Sequence, residues 1–298
     1  MGSDFEITIV EKNDSEANRL INIAIKEISR IESLISSWDK NSQTTLINYN
    51  SGIKPVKVDT ELFNLISRSI KVSNLSQGAF DISYASLDKV WFFDKKMQKM
   101  PSDDQIANSV AKVGFENIIL NEKEQTVFLK LKGMKIGFGA IGKGYAADRA
   151  KEILIKNNVK SGIINASGDL TAWGQKPSGE DWMVAIVNPL NKTKVFSWLP
   201  IKNKSIVTSG NYERFINFDG KSYSHIIDPR TGYPSQGILS VTIVTENAEL
   251  ADALATSVFV LGEEIGMNMI NQLKGVDCII INSDNKIIKS KNIKINEI

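Results

Sequence analysis

The chain has 298 residues, of which 42% are hydrophobic and 23% charged. This composition predicts a folded protein with a well-buried core and excludes the disordered and fibrous classes. Thirty-six Lys and Arg residues against 34 Asp and Glu residues give a net charge of +2. A charge balance this even does not support a basic surface that binds nucleic acid or anionic membranes. Any anionic ligand is therefore expected to be bound by a few local groups.

Cysteine and histidine each occur once, as Cys278 and His225. A single cysteine excludes an internal disulfide, a Cys-ligated zinc site and a Cys-x-x-Cys redox pair. A single histidine excludes a multi-histidine metal site, so any metal is expected to have mainly oxygen ligands, as magnesium and calcium do. Cys278 lies in an apolar run and is interpreted as a buried strand thiol rather than a nucleophile.

No apolar run approaches the ~18 residues of a membrane span. The first residues alternate as in a strand and lack the regions of a signal peptide. The chain as given is therefore expected to be soluble, and a processed form of an exported protein would look the same.

Hydrophobic periodicity predicts the elements in chain order. Strands are predicted at Phe5–Ile9, NIILN, TVFLKLK, MKI, GIINA, and at RFINF and KSYSHII on either side of Asp219-Gly220. Helices are predicted from an N-cap at Asp14 or Ser15, from Thr60 to about Ser76, from a capping box at Ser102 to Gly114, from Tyr145 to Lys156, from Ala248 to Val260 and from Glu263 to Leu273.

Consecutive strands joined by short turns must pair antiparallel. The order of elements therefore favours an α+β fold with antiparallel or mixed sheets covered by helices, and it argues against a Rossmann fold. The sequence shows no fixed-period repeat and no Pro/Gly-rich linker. We expect one domain over residues 1–298.

Gly137, Gly139 and Gly142 form a G-x-G-x-x-G pattern between a predicted strand and a predicted helix. A dinucleotide fingerprint requires an acid at the end of the next strand, which here ends on Asn165, with the next acid at Asp169. The pattern still predicts a helix N-terminus where backbone groups and Lys143 approach a phosphate or an ion. A close packing turn between strand and helix is the alternative.

Two further segments carry chemistry. His225 opens HIIDPRTGYP, in which Asp228 to Gly232 have the composition of a turn. Asp252 and Thr256 are four residues apart in ELADALATS, so a helix would place two hard oxygen ligands on one face. Taken alone, the segment after His225 indicates a turn, and the segment with Asp252 and Thr256 indicates the solvated start of a helix.

Eight motifs occur together in one order along the chain: MGSDFEI, SSW, GAFDIS, GAIGKGYAAD, NASGD, TSGNYERF, HIIDPRTGYP and ADALATS. With them the chain closely resembles the ApbE family of magnesium-dependent FAD:protein FMN transferases, nearly end to end. The resemblance implies cleavage of FAD at its pyrophosphate, transfer of FMN to a threonine hydroxyl of an acceptor protein through a phosphoester, and release of AMP.

The resemblance also implies site residues. His225 is expected to take the proton from the acceptor hydroxyl. Magnesium is expected on the carbonyl oxygens of Ala140 and Ala255 and on the side chains of Asp252 and Thr256. FAD is expected to contact Met1, Trp38, Ala79, Phe80, Asp81, Gly137, Lys143 and Ile227. Many members carry Asp at the position of Gly137, so one polar contact to the nucleotide is either missing here or replaced by backbone.

The acceptors in the family are subunits of membrane redox complexes with a threonine in a short Asp-Gly/Ser-Thr-Ala-Thr type motif. The resemblance implies a periplasmic lipoprotein anchored to the inner membrane by a leader absent from this chain. Three alternatives stay open: a magnesium-dependent FAD hydrolase, a non-catalytic FAD carrier and, as the weakest, a nicotinamide dehydrogenase. An aromatic residue at Trp38 favours transfer over hydrolysis. The sequence does not reveal the oligomeric state or the identity of the acceptor.

Overall fold

A computed structural model describes residues 2–93, 97, 99–188, 191–210, 215–218 and 221–293 of the chain. Its helices are α1 (Asp14–Ile35), α2 (Gln43–Tyr49), α3 (Thr60–Leu75), α4 (Asp103–Ser109), α5 (Gly142–Lys156), α6 (Ala248–Leu261) and α7 (Glu263–Asn271). Its strands are β1 (Phe5–Ile9), β2 (Val56–Lys57), β3 (Ile118–Asn121), β4 (Thr126–Leu129), β5 (Gly162–Ala166), β6 (Asp169–Trp173), β7 (Trp182–Asn188), β8 (Asn191–Ile201), β9 (Ser205–Gly210), β10 (Phe215–Phe218), β11 (Lys221–Ser224), β12 (Ile238–Thr245), β13 (Asp277–Asn282) and β14 (Ile287–Lys289).

The main sheet has seven strands in the order β1-β5-β6-β9-β12-β13-β14. Every neighbouring pair in it is antiparallel. Smaller sheets are formed by β2-β4-β3, by the β7-β8 pair and by the β10-β11 pair. This arrangement confirms the predicted α+β fold and contains no doubly wound parallel sheet among the described residues.

Helices α1, α5, α6 and α7 bury one face of the main sheet. Small side chains on α5 and α6, such as Ala147 and Ala251, let these helices pack closely on buried strand residues such as Ile164 and Val241. The other face of the sheet is covered by the β7-β8 hairpin through Val184, Ile186, Leu199 and Ile201. A second core lies between α1, α2, α3 and the three-stranded sheet. Cys278 is fully buried on β13, as predicted.

Several predicted boundaries are wrong. The segment MKI is not a strand: the amide and carbonyl of Ile136 bond to the side chain of Asn48 at 2.8 and 3.0 Å, in place of a neighbouring strand. Helix α4 has the predicted capping box but ends at Ser109, where the chain enters turns that bond Ala111 to Asn108 and Val113 to Val110.

The remaining differences are small. The N-cap of α1 is Asn13, whose side chain accepts bonds from the amides of Ser15 and Glu16. Helix α5 begins at Gly142, three residues before the predicted start, and its first turn has no side-chain cap. Strands β4 and β11 end earlier than predicted, at Leu129 and Ser224. The predicted hairpin turn at Asp219-Gly220 lies outside the described residues.

Among the described helices, none is long and apolar enough to cross a membrane.

Candidate active site

A cavity of about 680 Å³, which we call the site cavity, lies where the C-terminal end of β9 meets α6 and the N-terminus of α5. Its lining comes from residues 79–81, 84, 85, 87–91, 93, 109, 139, 140, 143, 208–210, 225–227, 229, 232, 252 and 256. Segments far apart in sequence therefore contribute to one concave surface with both apolar and charged walls, as small-molecule sites usually have.

Two acidic side chains and one lysine meet below the first turn of α5. The ammonium of Lys143 lies 2.8 Å from the carboxylate oxygen Oδ1 of Asp169, whose side chain is 1% exposed. Asp252 is also buried and accepts a hydrogen bond of 3.3 Å from the amide of Gly144. The first turn of α5 thus touches both acids, one through a side chain and one through the backbone.

The charge of this group is not balanced. Burial raises the pKa of the Asp169 carboxyl well above its ordinary value, the nearby Asp252 carboxylate raises it further, and Lys143 lowers it. The second oxygen of Asp169, Oδ2, is buried and has no hydrogen-bond partner. Two buried carboxylates beside one lysine repel each other unless one of them binds a proton or a cation lies between them.

The donor atoms around this charge suit magnesium. Among the described residues, no group of three or more His, Cys, Asp or Glu side chains is placed to hold a metal. A cation here therefore has to use other oxygens as well, and Thr256 and Ala140, which line the cavity together with Asp252, each have one to offer. Carboxylate, hydroxyl and carbonyl oxygens are the hard ligands that magnesium prefers. The residues present fit that ion.

Helices α5 and α6 fix the relative position of these groups. A Cβ atom on Gly144 would lie 2.5 Å from the carbonyl carbon of Ala248 and 2.9 Å from the amide nitrogen of Glu249, so the two backbones touch here. The N-cap residue Asn247 of α6 makes no side-chain cap bond, and Asp148 of α5 accepts one from the Glu249 amide at 2.9 Å. Asp252 and Thr256 both line the cavity, as their spacing on α6 predicts.

His225 follows the last residue of β11 and is partly buried in the cavity wall. The turn after it is held by the side chain of Asp228, which accepts bonds from the amide and guanidinium of Arg230. Trp91 also anchors this turn, with its indole nitrogen 2.8 Å from the carbonyl oxygen of Gly232. The position of the histidine is thus set by a strand end and an anchored turn.

The segment around Asp81 closes another wall. Its two carboxylate oxygens accept bonds from the amides of Ser83 at 2.7 Å and Phe115 at 2.8 Å. Burial raises the pKa of Asp81 above its ordinary value. These bonds begin a short 3-10 helix, Ile82–Ser86, that presents Tyr84 and Ala85 to the cavity. Asp81 therefore orders this wall as well as lining it.

The site cavity brings together nine of the thirteen residues predicted for the site: Ala79, Phe80, Asp81, Ala140, Lys143, His225, Ile227, Asp252 and Thr256. Three others do not line it. Ala255 is fully buried, Trp38 is 73% exposed, and the amide of Gly137 bonds the carbonyl of Ile82 at 2.9 Å. Met1 lies outside the described residues.

Sequence reasoning missed two parts of this site. Asp169 entered only as an acid in the wrong place for a dinucleotide fold, although its position in NASGD beside the glycine segment was a signal. The aromatic pair Trp91 and Phe93 was not singled out at all, because neighbouring aromatic residues ordinarily indicate core packing.

The chain is similar in sequence to proteins of one known family. The model of the ApbE family matches residues 1–280. The chain is 32% identical over 292 residues to a FAD:protein FMN transferase of Klebsiella pneumoniae, covering 97% of this chain and 89% of that one. It is 30% identical to a FAD:protein FMN transferase of Treponema pallidum over 92% of this chain and 81% of that one.

Solved structures agree. The ApbE protein of Thermotoga maritima superposes with a TM-score of 0.87 at 29% identity, covering 97% of this chain and 96% of that chain. The flavin transferase ApbE of Vibrio cholerae has the same fold, with a TM-score of 0.86 at 24% identity over 98% and 94% of the two chains. With a family model that spans nearly the whole sequence and a matching fold, the chain belongs to the ApbE family.

Proposed function

We propose that this chain is a FAD:protein FMN transferase that cleaves FAD at its pyrophosphate, links FMN to a threonine of an acceptor protein and releases AMP. The observation that carries the proposal is that His225, Lys143 and Asp252 line the same cavity, with Asp169 buried behind Lys143. The names of the relatives, FAD:protein FMN transferase, support the same activity.

The first turn of α5 is suited to bind a pyrophosphate. Lys143 adds a positive charge there, and the amides at the N-terminus of a 15-residue helix favour an anion. We propose that Asp252, Thr256 and the carbonyl of Ala140 hold magnesium next to it. A bound magnesium ion supplies neutralisation of the phosphate charge, which is the main requirement of phosphoryl transfer.

The proposed role of His225 is that of a general base. The acceptor hydroxyl forms a bond to the FMN-side phosphorus while the bond from that phosphorus to the bridging oxygen breaks. The hydroxyl proton passes to the imidazole, and AMP leaves with the bridging oxygen. Imidazole side chains are common general bases near neutral pH.

The finer expectations that the resemblance implies belong to this proposal: magnesium as the metal, threonine as the acceptor, subunits of membrane redox complexes as partners, and a periplasmic anchored location. Two alternative activities differ from it in their products. A hydrolase would give free FMN and AMP with water as the acceptor. A carrier would bind FAD and release no AMP.

The experiment is an incubation of the chain with FAD, magnesium and a peptide of the Asp-Gly/Ser-Thr-Ala-Thr type, followed by mass spectrometry. We expect the peptide to gain the mass of one FMN group and AMP to be released. A matched peptide with valine in place of threonine should gain nothing. Free FMN with an unmodified threonine peptide, or bound FAD without AMP, would contradict the proposal.

A further inference from the structure

An aromatic side chain that the proposed reaction does not use lies against the histidine of the site cavity. The ring of Phe93 is 6.5 Å from the ring of His225, centroid to centroid, with an angle of 78° between the ring planes. This is the edge-to-face geometry that aromatic pairs prefer. Both residues line the cavity, so the contact between them borders the space in which the proposed reaction takes place.

Phe93 is held in place through its neighbour Trp91. The indole of Trp91 is 4% exposed, stacks on Tyr223 at 5.8 Å and donates a hydrogen bond of 2.8 Å to the carbonyl oxygen of Gly232. Tyr223 lies on β11 two residues before His225. Trp91 therefore ties the segment that carries Phe93 to both chain segments that flank the histidine.

Apolar residues of the described lining come from the two segments that meet at the histidine. They are Val90 and Phe93 on one segment and Ile226 and Ile227 on the other, whereas Lys143 and Asp252 belong to α5 and α6. An apolar wall beside a general base offers water few hydrogen-bond partners. Water is the competitor that matters here, because the same base would activate it as readily as a threonine hydroxyl.

We propose that Phe93 is a positioning residue that covers the imidazole of His225 and so favours the acceptor hydroxyl over water as the nucleophile. The inference rests on the proposed function. With the acceptor, its oxygen bonds to the FMN-side phosphorus, the bond to the bridging oxygen breaks, the proton goes to His225 and AMP leaves. With water in the same position, the products are free FMN and AMP.

The test measures how FMN is divided between peptide-bound and free forms for each AMP released. Phe93→Ala should raise the share of free FMN by about three- to tenfold relative to the unaltered chain, the size expected for the loss of one aromatic contact. Phe93→Leu, which keeps an apolar side chain, should give an intermediate ratio. Because the ratio is taken per AMP, a lower amount of folded protein does not change it.

Phe92→Ala is the matched control. It deletes a ring of the same size from the same segment, but Phe92 is not part of the cavity lining and contacts Lys89 at 5.5 Å. We expect the control to divide FMN as the unaltered chain does. If Phe93→Ala does not yield folded protein, Phe93→Leu decides, with at least a twofold rise in free FMN expected.

An unchanged ratio in the folded Phe93 variants, with normal transfer by the unaltered chain, would overturn the inference alone. An equal shift in Phe92→Ala would overturn it as well, because the effect would then not depend on the contact with His225. Release of AMP by the unaltered chain with no peptide-bound FMN would overturn the proposed function and this inference with it.

Discussion

Two cavities of similar size flank helices α5 and α6, and one of them is the candidate site. The site cavity has a volume of about 680 Å³. The second cavity, about 800 Å³, lies between α3, α5 and the start of α6 and is lined by Thr60, Glu61, Asn64, Arg68, Lys71, Val72, Ile141, Tyr145, Asp148, Arg149, Lys151, Glu152, Asn247, Glu249 and Leu250. Both have charged walls, so neither volume nor polarity distinguishes them.

What differs is how the charges are paired. In the second cavity, Arg68 lies 2.6 Å from Glu249, and Arg149 lies 3.3 Å from Glu61, which also accepts a bond from Tyr145. These charges compensate one another within the protein. Behind the site cavity, Asp169 keeps an oxygen without a partner beside a second buried acid. These two acids share one lysine, whereas Glu61 and Glu249 of the second cavity each pair with an arginine.

A buried acid with one unpaired oxygen lies at each cavity: Asp169 behind the lining of the site cavity and Asp148 in the lining of the second. The two acids differ in the contact that their other oxygen makes. In Asp169 it contacts Lys143, which faces the cavity. In Asp148 it accepts the Glu249 amide at the start of α6. We therefore assign a binding role to the first acid and a structural role to the second. Substitutions at these positions distinguish the two roles.

The largest effect is expected from Asp252→Asn. The amide keeps the size of the side chain and an oxygen for the Gly144 amide, but it removes the charged ligand proposed for magnesium. FAD turnover at millimolar magnesium should fall by at least about a thousandfold, since a metal supplies several kcal/mol to such transition states. The rise in melting temperature on adding magnesium should also disappear. Normal turnover of the unaltered chain in chelator would refute the metal assignment.

His225→Ala should lower the single-turnover rate of AMP release by roughly 10²–10⁴-fold, the usual contribution of a general base. Affinity for FAD, measured by quenching of flavin fluorescence, should stay within about threefold, because the imidazole is proposed to act on the acceptor rather than to bind the flavin. A variant that transfers FMN at the normal rate would show that another group takes the proton.

Gly144→Ala tests the close backbone contact between α5 and α6, the two helices that both cavities flank. The added methyl group would press on the backbone of Ala248 and Glu249, so α6 must shift at a cost of about 1–3 kcal/mol in the free energy of unfolding. The shift moves Asp252, and half-maximal activity should require more magnesium. Lys156→Ala, exposed near the end of the same helix, is the control for urea unfolding. Equal stability of the two variants would mean that the contact is not tight.

The smallest effect on turnover is expected from Asp148→Asn. Burial raises the pKa of Asp148 from its ordinary 3.8 to about 6. The folded state therefore binds the proton more tightly than the unfolded state, and stability is lost as the pH rises from about 4 through about 6. Ionised Asp148 costs the fold up to about 3 kcal/mol at pH 8. The asparagine keeps an oxygen for the Glu249 amide and removes this cost.

Asp148→Asn should thus unfold at higher urea concentration than the unaltered chain at pH 8, gain little at pH 4, and leave FAD turnover within about twofold. Glu152→Gln removes one negative charge from the same helix at an exposed position and is the matched control. It should not reproduce the gain at pH 8. A large loss of turnover in Asp148→Asn would place this acid in the reaction and erase the contrast between the cavities.

The sequence predicts the parts of the site that local spacing controls. Asp252 and Thr256 share a face because they are four residues apart on a helix, and the capping box at Ser102 begins α4 as predicted. The sequence does not predict features that depend on contacts between residues far apart along the chain. Ile136 leaves the strand pattern because Asn48, 88 residues away, satisfies both of its backbone groups.

The same limit applies to Asp169 and Phe93. Oδ2 of Asp169 is left without a hydrogen-bond partner where β6 places this side chain under the first turn of α5. The contact of Phe93 with His225 joins residues 132 positions apart through the anchoring of Trp91. The position of Asp169 in NASGD was the signal for the first, whereas no local pattern marks Phe93. Nine residues predicted from the family motifs line one cavity.

The most direct test of the account counts both products of one reaction. The chain is mixed with FAD, magnesium and the threonine peptide, and AMP and peptide-bound FMN are quantified at several times, alongside Asp252→Asn. The account predicts that the two products of the unaltered chain rise together in equal amounts and that the variant forms neither. AMP accumulating while the peptide stays unmodified, or equal product formation by the variant, would contradict it.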